Sequence, residues 1–399
     1  LAAVGICGPI VTLLSSFGTL VGIGGSIWLS MCLGQKNERR ASQILYNSFV
    51  MLVVLSICLT LGFIFLKHDL IYWFGGSDTL YPYANTYLTI YTLGTFFALM
   101  SIGLNYFITG QGYATIAMFS VCIGAITNII FDFILICTLK IGVAGAAIGT
   151  VIAQFLSCMF VLCFLRFKAK VKLRKEELSI EKMKHIAKLG FSPFLIIASD
   201  SVILIVMNMM LQKYGGSMGD VYISAITVAQ SYFLLITGPL LGISSGTQPI
   251  FAYHFGSRNL KKIKEAFKIV ISFAFLFCLV MFIISMCYSN VFVALFTSDV
   301  TTMPIAQRAI KIFCLGILMM SIQYVLVDGI TGLSNVKLSL FLSLNRKMMY
   351  LCCTCLLPVF LGVSNIFYAQ PAADIYASIV TIICFIKIIP SYLKSHGVQ

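Results

Sequence analysis

Eleven long apolar runs dominate this sequence and restrict the folds that the chain can adopt. Each run is long enough to cross the hydrocarbon core of a bilayer, which is about 30 Å thick and takes roughly 20 residues of helix. A backbone inside hydrocarbon must satisfy its own hydrogen bonds, and the runs lack the short alternation typical of barrel strands. They therefore predict transmembrane helices. The predicted spans are 2–32, 43–66, 82–108, 114–138, 143–165, 185–211, 220–248, 267–289, 303–328, 336–361 and 365–391.

The composition agrees with an all-α polytopic membrane protein. Of 399 residues, 60% are hydrophobic and only 10% are charged, whereas soluble domains are about half apolar and a quarter charged. This balance argues against a soluble enzyme, a disordered tail or a secreted disulfide scaffold. The 14 cysteines lie almost entirely within apolar runs and have no acid or histidine at ligand spacing. They are interpreted as small buried hydrophobic residues, and no resident metal is expected.

Most of the net charge of +14 lies in short segments between the apolar runs. The segment from Arg166 to Lys188 carries nine Lys or Arg and three Glu. If the spans alternate strictly, this segment lies on the same side as 33–42, 249–266 and the C-terminus, which are also basic. Asp374 is assigned to the loops on the opposite side. Because Lys and Arg concentrate on the cytoplasmic side of short loops, the basic segments are expected to be cytoplasmic. No groove-reading motif accompanies the charge, so no nucleic-acid partner is expected.

A repeat at a constant offset of 222 residues divides the chain into two halves. The matching residues are Gly24, Gly34 and Asn37 with Gly246, Gly256 and Asn259; Pro82, Leu93 and Gly94 with Pro304, Leu315 and Gly316; and Ile108, Thr109 and Gly110 with Ile330, Thr331 and Gly332. The repeat predicts an N-terminal lobe at 1–165, a basic cytoplasmic linker at 166–184 and a C-terminal lobe at 185–399. The helix at 185–211 then has its repeat partner before residue 1, so twelve helices are expected in the whole protein and the first lobe is one helix short here. Two six-helix halves would be parallel repeats, related by a pseudo-twofold axis along the membrane normal.

Several motifs along the chain resemble those of multidrug and toxic compound extrusion (MATE) transporters, and the bacterial drug-efflux branch is the most similar. The motifs are Gly22–Ser26, Leu33–Asn37, Asn128–Asp132, Ile141–Ile148, Gly246–Pro249, Ser343–Arg346 and Gln370–Asp374. The resemblance implies a V-shaped fold of two six-helix lobes with a central cavity, and cation-driven antiport. The chain departs from the pattern at Phe133, where members of this family often have proline.

Asp132 is the strongest candidate for a functional acid inside the membrane. A charge at the bilayer centre costs about 2.5–3.5 kcal/mol on insertion scales, so such residues usually face the protein interior and serve a function. Asn128 lies one helical turn earlier on the same face. The resemblance implies that Tyr87, Asn105 and Thr150 complete a cation site with these two residues. Carboxylate, amide and hydroxyl oxygens suit Na⁺, and a desolvated carboxylate could instead carry H⁺; a structural hydrogen bond between helices is the alternative.

The second lobe offers further candidates. Asp200 and Asp328 lie inside apolar spans, and Gln323 precedes Asp328 on the same predicted helix. Arg346 lies ten residues into the eleventh predicted helix, followed by Lys347. An ion pair between Arg346 and Asp328 is the hypothesis that the sequence suggests.

Together these features predict a multi-pass transporter of the cell membrane. We expect a secondary antiporter that exports organic, amphipathic or cationic compounds in exchange for Na⁺ or H⁺. It is expected to work in the lipid bilayer as a monomer and to need no cofactor. A lipid-linked oligosaccharide or lipid flippase of the same superfamily is the nearest alternative, but it would need a strongly basic cavity. An uncoupled channel or a receptor is a more distant alternative. The sequence has neither a P-loop nor a His-Glu-x-x-His motif, so enzymatic activity is not expected.

Overall fold

A computed structural model describes residues 2–73, 81–296 and 301–398 of the chain. Within these ranges the secondary structure is helical, and no strand is present. The α-helices are α1 (Ala2–Gly34), α2 (Glu38–Trp73), α3 (Tyr81–Leu93), α4 (Thr95–Gly110), α5 (Ala114–Asp132), α6 (Val143–Cys163), α7 (Ile180–Gly215), α8 (Gly219–Gly256), α9 (Leu260–Phe296), α10 (Thr302–Phe313), α11 (Ile317–Gly332), α12 (Val336–Leu361) and α13 (Ala369–Ser395). The predicted all-α membrane fold is confirmed.

The helices have the length and polarity that a bilayer requires. Among the described residues, nine helices are long and apolar enough to cross a membrane, or ten if one bent pair counts as a single span. Large apolar side chains project from the outer faces of these helices, as with Phe65, Leu295 and Phe360, which are 81%, 78% and 76% exposed. A soluble protein would bury most such side chains, so these surfaces suit contact with lipid.

The predicted span at 82–108 is a bent pair in the structure. Helices α3 and α4 meet at an angle of 54° on either side of Gly94. The corresponding span of the second half is also broken, by a 3₁₀ turn at Cys314–Gly316 between α10 and α11. Gly94 and Gly316 are separated by the repeat offset of 222 residues. The sequence repeat therefore has a structural counterpart in the position of these two breaks.

Two helices of the first half continue into short π-helical segments. The π-helix Phe133–Thr138 follows directly on Asp132 at the end of α5, and Phe164–Lys168 continues α6. Such segments are rare in proteins, and those that do occur are often found at functional sites. The backbone geometry therefore changes at the residue after the acid that the sequence singles out.

The chain forms two compact units, Leu1–Ala198 and Ser199–Gln399. The basic segment 166–184 belongs to the first unit, because Asn47 on α2 holds it by two hydrogen bonds. The Asn47 amide nitrogen donates to the Glu177 carbonyl at 2.9 Å, and the Ser179 backbone N–H donates to the Asn47 side-chain oxygen at 2.8 Å. In the second unit, Phe251, Phe313 and other aromatic side chains are fully buried in one apolar core.

Candidate functional site

In the first unit, the Asp132 carboxylate lies between α5 and α6. A Cβ atom added to Gly149 on α6 would lie 2.5 Å from Asp132 Oδ1, so the missing side chain at position 149 makes room for this oxygen. Asp132 Oδ1 is buried and has no hydrogen-bond partner among the described residues. An unpartnered carboxylate oxygen is costly in a low-dielectric environment unless an ion or a proton neutralises it.

Asn128 and Thr150 join α5 to α6 next to this carboxylate. The Asn128 amide nitrogen donates to the Thr150 hydroxyl at 3.4 Å, and that hydroxyl donates to the Ala146 carbonyl at 2.9 Å. The buried Tyr87 on α3 interacts with the Thr150 hydroxyl and lies near Asp132. Four of the five residues predicted for the cation site are therefore neighbours in the structure.

The fifth residue, Asn105 on α4, shares a cavity with two of the others. This cavity has a volume of about 500 Å³, and Asn105, Asn128 and Thr150 are part of its wall. The Asn105 amide nitrogen donates to the Ala117 carbonyl at 3.2 Å, while its side-chain oxygen is buried and finds no partner in the described ranges. Asp132 and Tyr87 do not line the cavity and adjoin it through Thr150.

Two residues at this site were missed by the sequence reasoning. Gln154 lines the same cavity and donates from its amide nitrogen to the Tyr91 hydroxyl at 3.2 Å. Tyr91 is 1% exposed and stacks on Tyr87. Tyr91 lies four positions after Tyr87, and Gln154 lies four positions after Thr150. Because residues four apart share a helix face, the sequence could have indicated both.

The predicted ion pair between Arg346 and Asp328 is wrong. Arg346 donates from Nη1 to Asp374 Oδ1 at 2.9 Å and from Nη2 to the Tyr324 hydroxyl at 3.0 Å. Asp374 is fully buried and also accepts from the Gln370 amide at 2.9 Å. The assignment of Asp374 to an outer loop is also wrong. Helix α13 begins at Ala369, so Asp374 lies on this helix in the protein interior.

Asp328 lies instead in an uncharged environment between α8 and α11. Its Oδ1 accepts from the Gln248 amide at 2.8 Å, and the Ser244 hydroxyl is a second neighbour. Its Oδ2 is buried without a partner in the part of the chain described, as is the side-chain oxygen of Gln323. These residues form a polar contact between helices rather than an ion pair.

Asp200 forms another ion pair next to Arg346, with Lys347 Nζ as its partner. We call Asp200, Arg346, Lys347 and Asp374 the charge cluster. All four line one cavity of about 340 Å³, whose wall also includes Phe233 and Phe313. The cluster holds two acids and two bases and is formally neutral. Within the described residues, no group of three or more His, Cys, Asp or Glu is arranged to hold a metal ion.

Comparisons with known proteins agree with this architecture. A family model described as MatE matches residues 1–134 and 197–356. The multidrug export protein MepA of Staphylococcus haemolyticus is 28% identical over 332 residues, which cover 81% of this chain and 71% of that protein. The MepA protein of Staphylococcus saprophyticus is 25% identical over 327 residues, with the same coverage.

Solved structures show the same fold. A multidrug resistance MATE family transporter of the MOP superfamily, in an outward-facing conformation, superposes with a TM-score of 0.92 at 23% identity, covering 99% of this chain and 89% of that one. A MOP superfamily transporter from Pyrococcus furiosus gives 0.92 at 22% identity, covering 99% and 88%. The family model spans well over half of the sequence, and the helical architecture agrees with it. The chain therefore belongs to the MatE family of membrane transporters.

Proposed function

We propose that this protein exports organic, amphipathic or cationic compounds across the cell membrane in exchange for Na⁺ or H⁺. Membership of the MatE family and the names of its MepA relatives support multidrug export as the activity. The observation that carries ion coupling is the buried, unpartnered Oδ1 of Asp132 beside Thr150, Asn128 and Tyr87.

The chemistry of these residues suits a small monovalent ion. The Asp132 carboxylate supplies the negative charge, and the Asn105 side-chain oxygen supplies a second buried acceptor without a donor in the described structure. The Thr150 and Tyr87 hydroxyls can turn their oxygens toward an ion. Na⁺ prefers such oxygen ligands, whereas a proton would need only the carboxylate.

Loading of Asp132 would change the relative stability of two conformations. A charged carboxylate disfavours an arrangement that removes it from water, and neutralisation by an ion or a proton removes that penalty. A conformation that seals the site then becomes accessible only when the ion is bound. Alternating access coupled to an ion gradient follows from this difference in population.

The orientation that we propose has the basic segments and the C-terminus in the cytoplasm. The segment 166–184 carries eight Lys or Arg residues, the largest number in any segment between the predicted spans. Positive residues on the cytoplasmic side are favoured during insertion. We propose that the exporter acts as a monomer, with small organic molecules and the bilayer as its partners.

The charge cluster argues against the alternative function, a lipid-linked oligosaccharide flippase. Such a substrate carries a pyrophosphate group and would need uncompensated positive charge. Arg346 and Lys347 do lie in a cavity, but each is paired with an aspartate. The cavity therefore lacks the excess positive charge that a pyrophosphate headgroup requires.

The proposal is tested with the purified protein in vesicles loaded with ethidium, a fluorescent organic cation. An inward gradient of Na⁺ or of H⁺ is imposed separately, and ethidium loss is followed against its own concentration gradient. We expect one of the two gradients to drive uphill efflux. Efflux that only dissipates the ethidium gradient would indicate an uncoupled channel and contradict the proposal.

A further inference from the structure

The charge cluster of the second unit differs in the exposure of its members. The Asp200 side chain is 61% exposed, whereas Lys347 is 10% exposed, Arg346 is 11% exposed and Asp374 is fully buried. The carboxylate of Asp200 is therefore more accessible than the charged group of either base. This asymmetry favours a cation over an anion as the ligand.

The walls of the cavity suit an organic cation. Phe233 lies in the wall together with Leu234 and Leu241, and Gln230 and Thr237 are the uncharged polar residues that α8 contributes. Aromatic faces attract cations, most strongly where water is excluded. A volume of about 340 Å³ gives room for a molecule larger than an inorganic ion.

Charge balance limits how such a ligand can bind. The cluster is neutral before binding, so a monovalent cation that pairs with Asp200 leaves one excess positive charge in a largely buried site. An uncompensated buried charge is strongly unfavourable. Loss of one proton from the cluster restores neutrality.

Lys347 is the base that can lose this proton. Arginine stays protonated in proteins, whereas a lysine that loses its carboxylate partner in a buried site readily becomes neutral. The charged and titratable groups around Lys347 are Asp200 on α7, Tyr324 on α11, Arg346 and Tyr350 on α12, and Asp374 on α13. Of the two bases, Lys347 is the one that contacts Asp200, the acid that the ligand would engage.

We propose that Asp200 binds the charged group of an organic cation and that Lys347, its tethered counter-ion, is displaced and releases one proton. In this step an N–H bond of the Lys347 ammonium breaks, the electron pair stays on nitrogen, and the proton passes to water. The bound cation replaces the ammonium as the partner of Asp200, so the charge of the site is conserved. The proposal rests on the export of organic cations proposed above and adds a substrate site and an exchange of one cation for one proton.

Binding of tetraphenylphosphonium to the purified full chain in detergent tests this exchange. This permanent cation has no proton to lose, so any proton released comes from the protein. Isothermal titration in buffers that differ in ionisation enthalpy counts the protons. We expect one proton per cation bound, and a dissociation constant that falls about tenfold for each unit of rising pH while Lys347 is charged in the free protein.

Three kinds of variant identify the source of the proton. Lys347→Arg keeps the charge but cannot release a proton, so we expect no release and at least about tenfold weaker binding. Asp200→Asn should weaken binding by a similar factor, because the carboxylate is lost. Tyr324→Phe and Tyr350→Phe should each still release one proton per cation.

The wild-type measurement alone can overturn the proposal, whether or not the variants fold. Absence of saturable binding, binding without proton release, or release that persists in Lys347→Arg would each contradict it. The measurement uses no ion gradient and no transport. Its failure therefore leaves the coupling role of Asp132 standing, and the failure of either proposal can be told apart from the failure of the other.

Discussion

Arg346 is held by an acid, by a phenol hydroxyl and by an aromatic ring in the second unit. Its guanidinium donates to Asp374 and to Tyr324 and lies 5.0 Å from the centre of the Tyr324 ring. The planar fork of arginine fits such a site, which a lysine could not fill in the same way. Arg346 thus connects α12 to α11 and α13.

Removal of Arg346 is expected to destabilise the protein strongly. Arg346→Leu leaves the fully buried Asp374 without its counter-ion, and breaking a buried pair in this way costs about 3–5 kcal/mol. Thermal unfolding in detergent should show a large fall in Tm. Asp328→Asn is the matched control, since an amide oxygen can still accept from Gln248. Equal Tm values for the two variants would contradict the assignment of the pair.

Gly149 is expected to be essential for the geometry around Asp132. In Gly149→Ala, the new methyl group clashes with Asp132 Oδ1. Such overpacking lowers the free energy of unfolding by about 1–3 kcal/mol. We expect ion-driven ethidium efflux to fall several-fold while the protein still inserts. Gly242→Ala is the control, because among the described residues no atom outside the adjoining backbone of its own helix lies within 4 Å of its added Cβ. An unchanged efflux rate in Gly149→Ala would show that the carboxylate does not need this space.

At the scale of single elements, apolar run length predicts the position of the helices well. The predicted spans 114–138 and 336–361 coincide with helical segments that begin and end at the same residues. Helices α7, α8 and α9 extend further than predicted, because their ends carry polar residues that continue the helix beyond the hydrocarbon region. Run length reports only the apolar part of such a helix.

The rotation of each helix about its axis could not be predicted in the same way. Asp328 and Asp374 both lie on helices that neighbour α12, and a run of apolar residues does not tell which of them faces Arg346. Asp132 and Asn128 could be predicted from an acid inside an apolar span and from the helical repeat. Tyr87, Asn105 and Thr150 were indicated only by the family resemblance. Gln154 and Lys347 lie outside those motifs, and their roles emerged only from side-chain contacts.

The basic segment 166–184 is expected to depend on Asn47 for its attachment to α2. Asn47→Ala removes bonds to Glu177 and Ser179, each worth about 0.5–1.5 kcal/mol. Trypsin should then cleave between Lys170 and Lys182 several-fold faster than in the wild type. Asn365→Ala is the control, since the bond that its side chain makes in the described part of the chain runs to the Leu361 carbonyl four residues earlier. Equal cleavage rates in the two variants would argue against this attachment.

At the scale of the whole molecule, the two units carry different polar chemistry. The cation site of the first unit places one carboxylate among neutral oxygens and amides, whereas the charge cluster of the second unit balances two acids against two bases. The repeat therefore conserves the helical framework and the positions of its breaks but not the charged side chains. We infer a division of roles, in which the first unit loads the coupling ion and the second binds the organic substrate.

The central claim is that Asp132 carries the coupling ion, and ion-driven ethidium efflux by Asp132→Asn in vesicles tests it most directly. The amide keeps the size of the side chain and removes its charge, so we expect the protein to insert normally and gradient-driven efflux to fall to the level of protein-free vesicles. Asp69→Asn is the matched control, because Asp69 is exposed near the end of α2. Full gradient-driven efflux by Asp132→Asn would contradict the account.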